Sequence, residues 1–224
     1  MNFQEIINEL KKKGSEQNRK KYRRHGVKNE VYGVSFTNLK RIAVKIKNNN
    51  FLAEQLWNTG NHDARMLAVK IVDPKKILEV DIDSRVSDLD NYIITDAFSE
   101  VISKTMFARK KMEKWVNSEN EWTASAGWNI LAHLAMEDND IPDDYFVSYM
   151  KIISEEIHNK KNRVKYSMNN ALIALGIKNK KLNGHALKIG KYIGKVTVDH
   201  GDTSCKTPDA VDYINKAFER KNMK

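Results

Sequence analysis

The chain has 224 residues, with 39 lysines and arginines against 29 aspartates and glutamates, a formal net charge of +10 at pH 7. No stretch is long and uncharged enough to span a bilayer, and the amphipathic first segment lacks the apolar centre of a signal peptide. The single cysteine, Cys205, excludes an internal disulfide and is typical of a reducing compartment. We therefore expect a soluble, cytoplasmic protein with no membrane partner.

The excess of positive charge indicates the kind of partner. Each phosphate that a lysine or arginine neutralises releases condensed counterions, so a basic surface favours polyanions, nucleic acid first. The alternative is that a lysine- and asparagine-rich composition alters the surface without any function. Both interpretations stay open on composition alone.

The predicted elements are helices almost throughout. Three prolines and ten glycines leave long intervals in which apolar residues recur at helical spacing. Asn2 and Ser15 precede the first two helices as N-caps, and Gly14 and Gly26 end them. The predicted helices are 2–14, 15–26, 36–48, 50–58, 62–72, 90–102, 107–117, 122–135, 143–159, 163–176, 182–194 and 211–222, with shorter pieces at 75–80 and 84–89. Only 195–199 reads as extended, so the class is all-α.

The helix at 90–102 carries the most suggestive polar pattern. One face is predicted to be apolar, whereas Tyr92, Asp96 and Ser99 follow one another at i, i+4 and i+7. This spacing places an aromatic ring, a carboxylate and a hydroxyl in one stripe. The stripe is either a solvated surface or the middle of a site.

The order of the helices predicts stacked antiparallel pairs. Trp57 and Trp115 each end a helix that leads through a short turn into an alanine-rich partner, at 62–72 and 122–135. In a HEAT-like solenoid each such pair leaves an apolar face that the next pair covers. We predict a single domain over 1–224, an α-α superhelix of HEAT-like pairs forming a curved solenoid with a basic concave face. A compact orthogonal bundle would have a similar composition.

Several segments in this order resemble the bacterial DNA alkylation repair family, the alkylpurine DNA glycosylases of the AlkD type, which are built from HEAT-like repeats. The segments are KYRRHG, YGVSFTNLKRIA, LWNTGNHDARMLAVKIVDP, DNYIITDAF, KWVNSENEWTASAGW and KVTVDHGDTSCKTPDAVDYI. The resemblance covers most of the chain, and the order of the segments is more specific than any one of them. It implies a DNA glycosylase with alkylated double-stranded DNA as its partner, and we expect no cofactor and no metal. We expect a monomer.

The family has a Trp-x-x-x-Asp pattern on a mid-chain helix, and the matching residues here are Tyr92 and Asp96. The resemblance makes Asp96 the catalytic carboxylate and Tyr92 the aromatic wall beside it. A second family tryptophan falls near Asn170 and a family arginine falls at Ser125, so both are replaced. The family is thought to cut without flipping the base fully into a pocket. A non-catalytic HEAT-like module that binds DNA or a protein is the alternative function.

The residues expected to contact DNA phosphates are basic. The first group is a cluster near the start of the chain, and single residues on later helices complete the set. They are Lys20, Lys21, Arg23, Arg24, Lys40, Arg41, Arg65, Arg163 and Lys165. The competing interpretation of each is an ordinary solvated charge.

Other conspicuous residues are predicted to be structural. The four tryptophans and Met66 and Met168 are expected to fill the core between repeats. The loop around Asp199, His200 and Cys205 lacks the second ligand cluster of a zinc site, and Thr207-Pro208-Asp209 is predicted to cap the last helix, with the proline in its first turn.

Overall fold

The computed structural model describes residues 1–138 and 140–222, and within them thirteen α-helices and two short 3-10 turns make up the regular structure. One isolated bridge, between Gly14 and Val34, is the only β-type pairing in this described part. The all-α prediction is therefore confirmed. The helices are α1 (Phe3–Lys13), α2 (Glu16–Arg24), α3 (Phe36–Ile46), α4 (Asn50–Asn58), α5 (His62–Ile71), α6 (Glu79–Val86), α7 (Tyr92–Ile102), α8 (Ala108–Trp115), α9 (Glu121–Glu137), α10 (Asp143–Glu156), α11 (Asn162–Lys178), α12 (Lys180–Ile193) and α13 (Ala210–Asn222).

The ends of the helices follow local capping chemistry. Asn2 accepts the N–H of Glu5 at 2.9 Å and its own N–H donates to the Glu5 carboxylate at 3.0 Å, a complete capping box. Ser15 caps α2 as predicted, through the N–H of Asn18. Elsewhere the boundaries differ from the predictions. The pieces at 75–80 and 84–89 are a 3-10 turn (Pro74–Lys76) followed by α6.

The cap of the last helix also differs from its prediction. Asp209 accepts the N–H of Asp212 at 2.9 Å and is the capping residue of α13. Pro208 therefore precedes the cap instead of lying in the first turn, and Thr207 bonds to His200.

The chain divides into two compact units, one comprising 1–106 with 201–203, the other 107–200 and the residues from 204 onward. In the first unit α4 and α5 are antiparallel neighbours, because the N–H of Asn49 before α4 donates to the carbonyl of Ile71 at the end of α5. Helix α5 also packs on α3 and α7. The single domain over 1–224 stays a prediction.

In the second unit α8 pairs with α9, and α11 packs on α9, α12 and α13. A close approach at Gly127 joins the first pair, because a Cβ there would lie 2.6 Å from the backbone nitrogen of Val116. Helices α9 and α11 run parallel. Arg163 at the start of α11 donates its N–H to Glu121, and Lys178 at its end donates to the carbonyl of Ala135. Paired helices stacked in this way are the predicted HEAT-like pattern.

The core contains most of the residues predicted for it. Trp57, Trp115 and Trp128 are buried, as are Met66 and Met168. Trp122 is only half-buried, so its assignment to the core is wrong. No helix in the described residues is both long and apolar enough to cross a membrane.

Candidate nucleic-acid interface

The start of α7 is held by a buried cap. Asn91 is 1% exposed and its side-chain oxygen accepts the N–H groups of Ile93 at 3.1 Å and Ile94 at 3.2 Å. One and two turns later the hydroxyls of Thr95 and Ser99 donate to the backbone carbonyls of Asn91 and Thr95, at 2.8 and 2.7 Å. Both hydroxyls are therefore hydrogen-bonded although they are buried away from water.

The predicted stripe of Tyr92, Asp96 and Ser99 is therefore not one surface. Tyr92 is half-buried and Asp96 is exposed, whereas Ser99 is fully buried with Phe98 and Ile102 on the packed face. The prediction is wrong for Ser99. Asp96 presents its carboxylate at the surface one turn after the Tyr92 ring.

Tyr92 meets a residue that sequence reasoning missed. Its hydroxyl is hydrogen-bonded to Nδ1 of His25, and the two rings meet edge to face with centroids 5.8 Å apart. His25 is the residue that ends α2. The contact therefore joins the end of the basic helix to the start of the helix that bears Asp96. The sequence signal was weak, a single histidine between two arginines and Gly26.

The basic cluster of α2 lies on the surface of the first unit. Lys20, Lys21, Arg23 and Arg24 are all exposed. All but Lys21 line an open groove of about 610 Å³ together with Arg19. Basic side chains along an open groove are suited to a phosphate backbone.

Two of the arginines beside this groove also support the fold. Arg23 donates from Nη1 to the carbonyls of Val27 at 2.8 Å and Asn29 at 2.9 Å, and so closes the loop that follows α2. Arg19 bonds to Glu16 at 2.8 Å and to the carbonyl of Tyr32 at 3.2 Å. Lys20 and Arg24 are thus the groove residues whose charges are best placed for a ligand, and Lys21 is exposed on the same helix.

Lys40 and Arg41 are exposed on α3 and do not line the α2 groove. Both line a separate groove of about 540 Å³ beside Lys13 and Lys45. Lys40 also borders a third groove, between α3, α5 and α7. The predicted cluster is therefore distributed over several surfaces of the first unit.

Arg65 is placed among protein acceptors. Its side chain is 12% exposed and pairs with the Asp88 carboxylate at 3.3 Å, while Nε donates to the carbonyl of Trp57. The guanidinium also lies over the Trp57 ring, 5.2 Å from its centroid. Because the indole Nε1 donates to Asp88 at 2.7 Å, the three side chains form one network before α7. These contacts give Arg65 a structural role, because its guanidinium is already bonded to acceptors of the protein.

The remaining predicted residues lie in the second unit, on α9 and α11. Arg163 and Lys165 are half-buried, and the Arg163 guanidinium lies 4.7 Å from the centroid of Tyr166. Ser125 is 2% exposed, with no hydrogen-bond partner for its hydroxyl within the described residues. Asn170 is half-buried. Neither position therefore presents a large aromatic or cationic side chain.

The loop 198–209 is tied to α11. Asp199 exchanges two backbone bonds with the Asn162 side chain, both at 2.7 Å, and His200 bonds to Thr207 at 2.9 Å. Burial and the charge of Arg163 lower the pKa of His200. Among the described residues no three His, Cys, Asp or Glu side chains form a metal-binding group. The hydrogen bonds agree with a structural role for the loop.

Stacked antiparallel pairs of this kind define a HEAT-like helical-repeat protein. The family model described as DNA alkylation repair enzyme matches residues 6–214, and the chain belongs to that family. It is 32% identical to the protein Lin0241 of Listeria innocua over 98% of this chain and 99% of the relative. It is 30% identical to Lmo0209 of Listeria monocytogenes over 97% and 98% of the two chains.

A solved structure is similar over nearly the whole length. It comes from a family of proteins related to the HEAT-like repeat DNA glycosylases, with affinity for branched DNA structures. The TM-score is 0.90 at 32% identity, and the match covers 99% of this chain and 95% of that one. The predicted family and the HEAT-like architecture are thereby confirmed.

Proposed function

We propose that this protein binds DNA, with a preference for branched structures, through the basic surface of its first unit. The observation that supports this most directly is the α2 groove, which combines Arg19, Lys20, Arg23 and Arg24 on one open surface. The net charge of +10 supplies long-range attraction to a polyanion. A relative of 32% identity with affinity for branched DNA supports the choice of ligand.

Binding is tested with a four-way junction and a linear duplex of the same arm sequence, by fluorescence anisotropy across a salt series. We expect tighter binding to the junction and a steep fall in affinity with salt. Replacing Lys20, Lys21 and Arg24 by Gln should make the slope of log affinity against log salt shallower by about 3, roughly 0.9 for each phosphate that is no longer neutralised. Arg23 is left in place because it closes the loop after α2.

The matched control replaces Lys180, Lys188 and Lys191 by Gln, since all three are exposed on α12 and the charge change is the same. These substitutions should leave affinity nearly unchanged. Absence of binding by the wild type, or equal weakening by both triples, would contradict the proposal.

A second function is favoured by Asp96, an exposed carboxylate one turn after a half-buried aromatic ring. A purine alkylated at N3 or N7 is positively charged and is already a good leaving group. A carboxylate beside the deoxyribose would stabilise the cationic sugar that develops as the N-glycosidic bond breaks, and would orient the attacking water. Tyr92 would add a cation–π attraction of about 0.5–2 kcal/mol to the charged base. This reaction is the excision chemistry of a DNA glycosylase.

Excision is tested by the release of 7-methylguanine and 3-methyladenine from methylated duplex DNA. If Asp96 is catalytic, Asp96→Asn should lower the rate of release at least about 100-fold, the usual range for losing such a group. Glu54→Gln, an exposed acid on α4, is the control and should retain the wild-type rate. No release at high protein concentration would leave DNA binding without excision, whereas equal release by the wild type and Asp96→Asn would show that Asp96 is not the catalytic carboxylate.

A further inference from the structure

A second basic groove lies between α3, α5 and α7, in the same unit as the α2 groove. It is open, with a volume of about 670 Å³, and shares no lining residue with the α2 groove. Small apolar side chains of the three helices also line it. Its charged lining residues are Lys40, Lys47, Lys70, Lys104 and Glu100.

Positive charge dominates the rim of this lysine groove. The one acid, Glu100, is paired with Lys104 at 2.8 Å. Within the described residues Lys40, Lys47 and Lys70 form no ion pair with a carboxylate, and all three border the groove from different helices or helix ends. A groove with three such ammonium groups is complementary to a chain of phosphates.

Lys47 provides an independent observation. It follows α3 with φ 62° and ψ −163°, and no other non-glycine residue in the described chain has a positive φ. This region of backbone space is occupied almost only by glycine, because a Cβ is strained there. The backbone at Lys47 is therefore strained, and the side chain at this strained position supplies a positive charge to the groove.

The end of α2 and the lysine groove lie at opposite ends of α7. The residue that ends α2 contacts Tyr92, the first residue of α7, whereas the lysine groove is bounded by the second half of α7 and the turn after it, from Ala97 to Lys104. Eleven residues at 1.5 Å each separate the ends of α7 by about 16 Å. A linear duplex runs in a single direction, while a branched DNA offers arms that diverge from one point.

We propose that the lysine groove binds the phosphate backbone of a second arm of a branched DNA, while the α2 groove binds the first. This inference rests on the proposed binding of branched DNA. On this proposal Lys40, Lys47 and Lys70 are the residues that make the protein bind a junction more tightly than a duplex.

The test compares the wild type with a variant in which Lys40, Lys47 and Lys70 are replaced by Gln, on the four-way junction and the linear duplex. The variant should lose at least about tenfold in junction affinity, with a salt slope shallower by about 3, and less than about twofold in duplex affinity. The α12 triple used above is the control of equal charge. The Lys20, Lys21, Arg24 variant should weaken binding to both DNAs.

The variant Lys47→Gly distinguishes a loss of DNA affinity caused by the missing charge from one caused by a loss of stability. Glycine relieves the strain, so the variant should unfold at the same or a higher urea concentration and yet bind the junction more weakly. An unchanged junction affinity, or an equal loss on junction and duplex by the triple variant, would overturn the assignment of the groove. No binding of either DNA by the wild type would instead refute the proposed function itself.

Discussion

His62 opens α5 with a side chain that is 2% exposed and an Nε2 without a hydrogen-bond partner in the described residues. Its ring meets Tyr22 edge to face at 5.2 Å. Burial, with smaller contributions from the charges of Arg65 and Arg23, lowers the pKa of His62 to about 4. A helix N-terminus also disfavours a cation. The folded protein therefore keeps this imidazole neutral at pH 7.

This burial predicts a loss of stability in acid. Below the ordinary pKa of 6.5 the unfolded chain binds a proton at His62 that the folded chain does not bind until about pH 4. The free energy of unfolding should therefore fall as the pH drops from 6.5 to 4, by at most about 3 kcal/mol from this residue. Urea unfolding at several pH values measures it. His62→Phe, which keeps a ring of similar shape, should flatten the curve in that window, and an unchanged curve would contradict the prediction.

At the scale of elements, Asp63 joins α5 to the segment after α2. Its carboxylate is fully buried and accepts the N–H groups of Tyr32 at 2.6 Å, Val34 at 2.8 Å and Gly33 at 2.9 Å. Burial raises the pKa of this carboxyl, and the three hydrogen bonds oppose the rise. Gly33 has a φ of +83°, and a Cβ there would collide with the carbonyl of Ser15. The bend around Asp63 therefore depends on both residues.

Removing the carboxylate should cost more than an ordinary surface change. Asp63→Ala would leave three N–H donors without an acceptor, two of them buried, and we expect the free energy of unfolding to fall by at least about 3 kcal/mol. Asp63→Asn keeps one acceptor oxygen, and its free energy of unfolding should lie between those of Asp63→Ala and the wild type. Chemical denaturation measures the change, with Glu54→Ala on the exposed face of α4 as the control. A loss in Asp63→Ala no larger than in that control would show that backbone contacts alone hold the bend.

The start of α7 is held by residues from two different elements. Asn91 caps the helix from within its own segment, but the Tyr92 hydroxyl is positioned by His25 from the end of α2. The family pattern places a tryptophan where Tyr92 stands. A tyrosine there adds a hydroxyl that can bond to the histidine. The Tyr92 ring, one turn before Asp96, is therefore attached to the basic helix in this protein.

At the scale of the whole molecule, the two units contain different parts of the predicted site. Asp96, Tyr92 and both basic grooves proposed for DNA lie in the first unit, whereas Ser125, Asn170, Arg163 and Lys165 lie in the second. The positions that match the family's arginine and second tryptophan hold small side chains. The described residues thus include more candidate contacts to DNA phosphates than candidate contacts to a damaged base.

Most of the helices follow from the sequence alone, because capping residues, prolines and apolar periodicity are local signals. Asn2, Ser15 and the apolar positions of α1 are examples, and the order of the motifs also identified the family. Periodicity failed at Ser99, because a small hydroxyl that bonds to its own helix can be buried among apolar neighbours.

Only the tertiary structure decided which charges act together. Lys40 and Lys47 lie on α3 and directly after it, whereas Lys70 lies on α5, and the packing of α3, α5 and α7 brings the three to one groove. Tertiary packing also directs Arg65 toward Asp88 and Trp57, and brings His25 to Tyr92. A sequence pattern determines on which face of a helix a side chain lies. The partner of that side chain depends on the helix that packs against it.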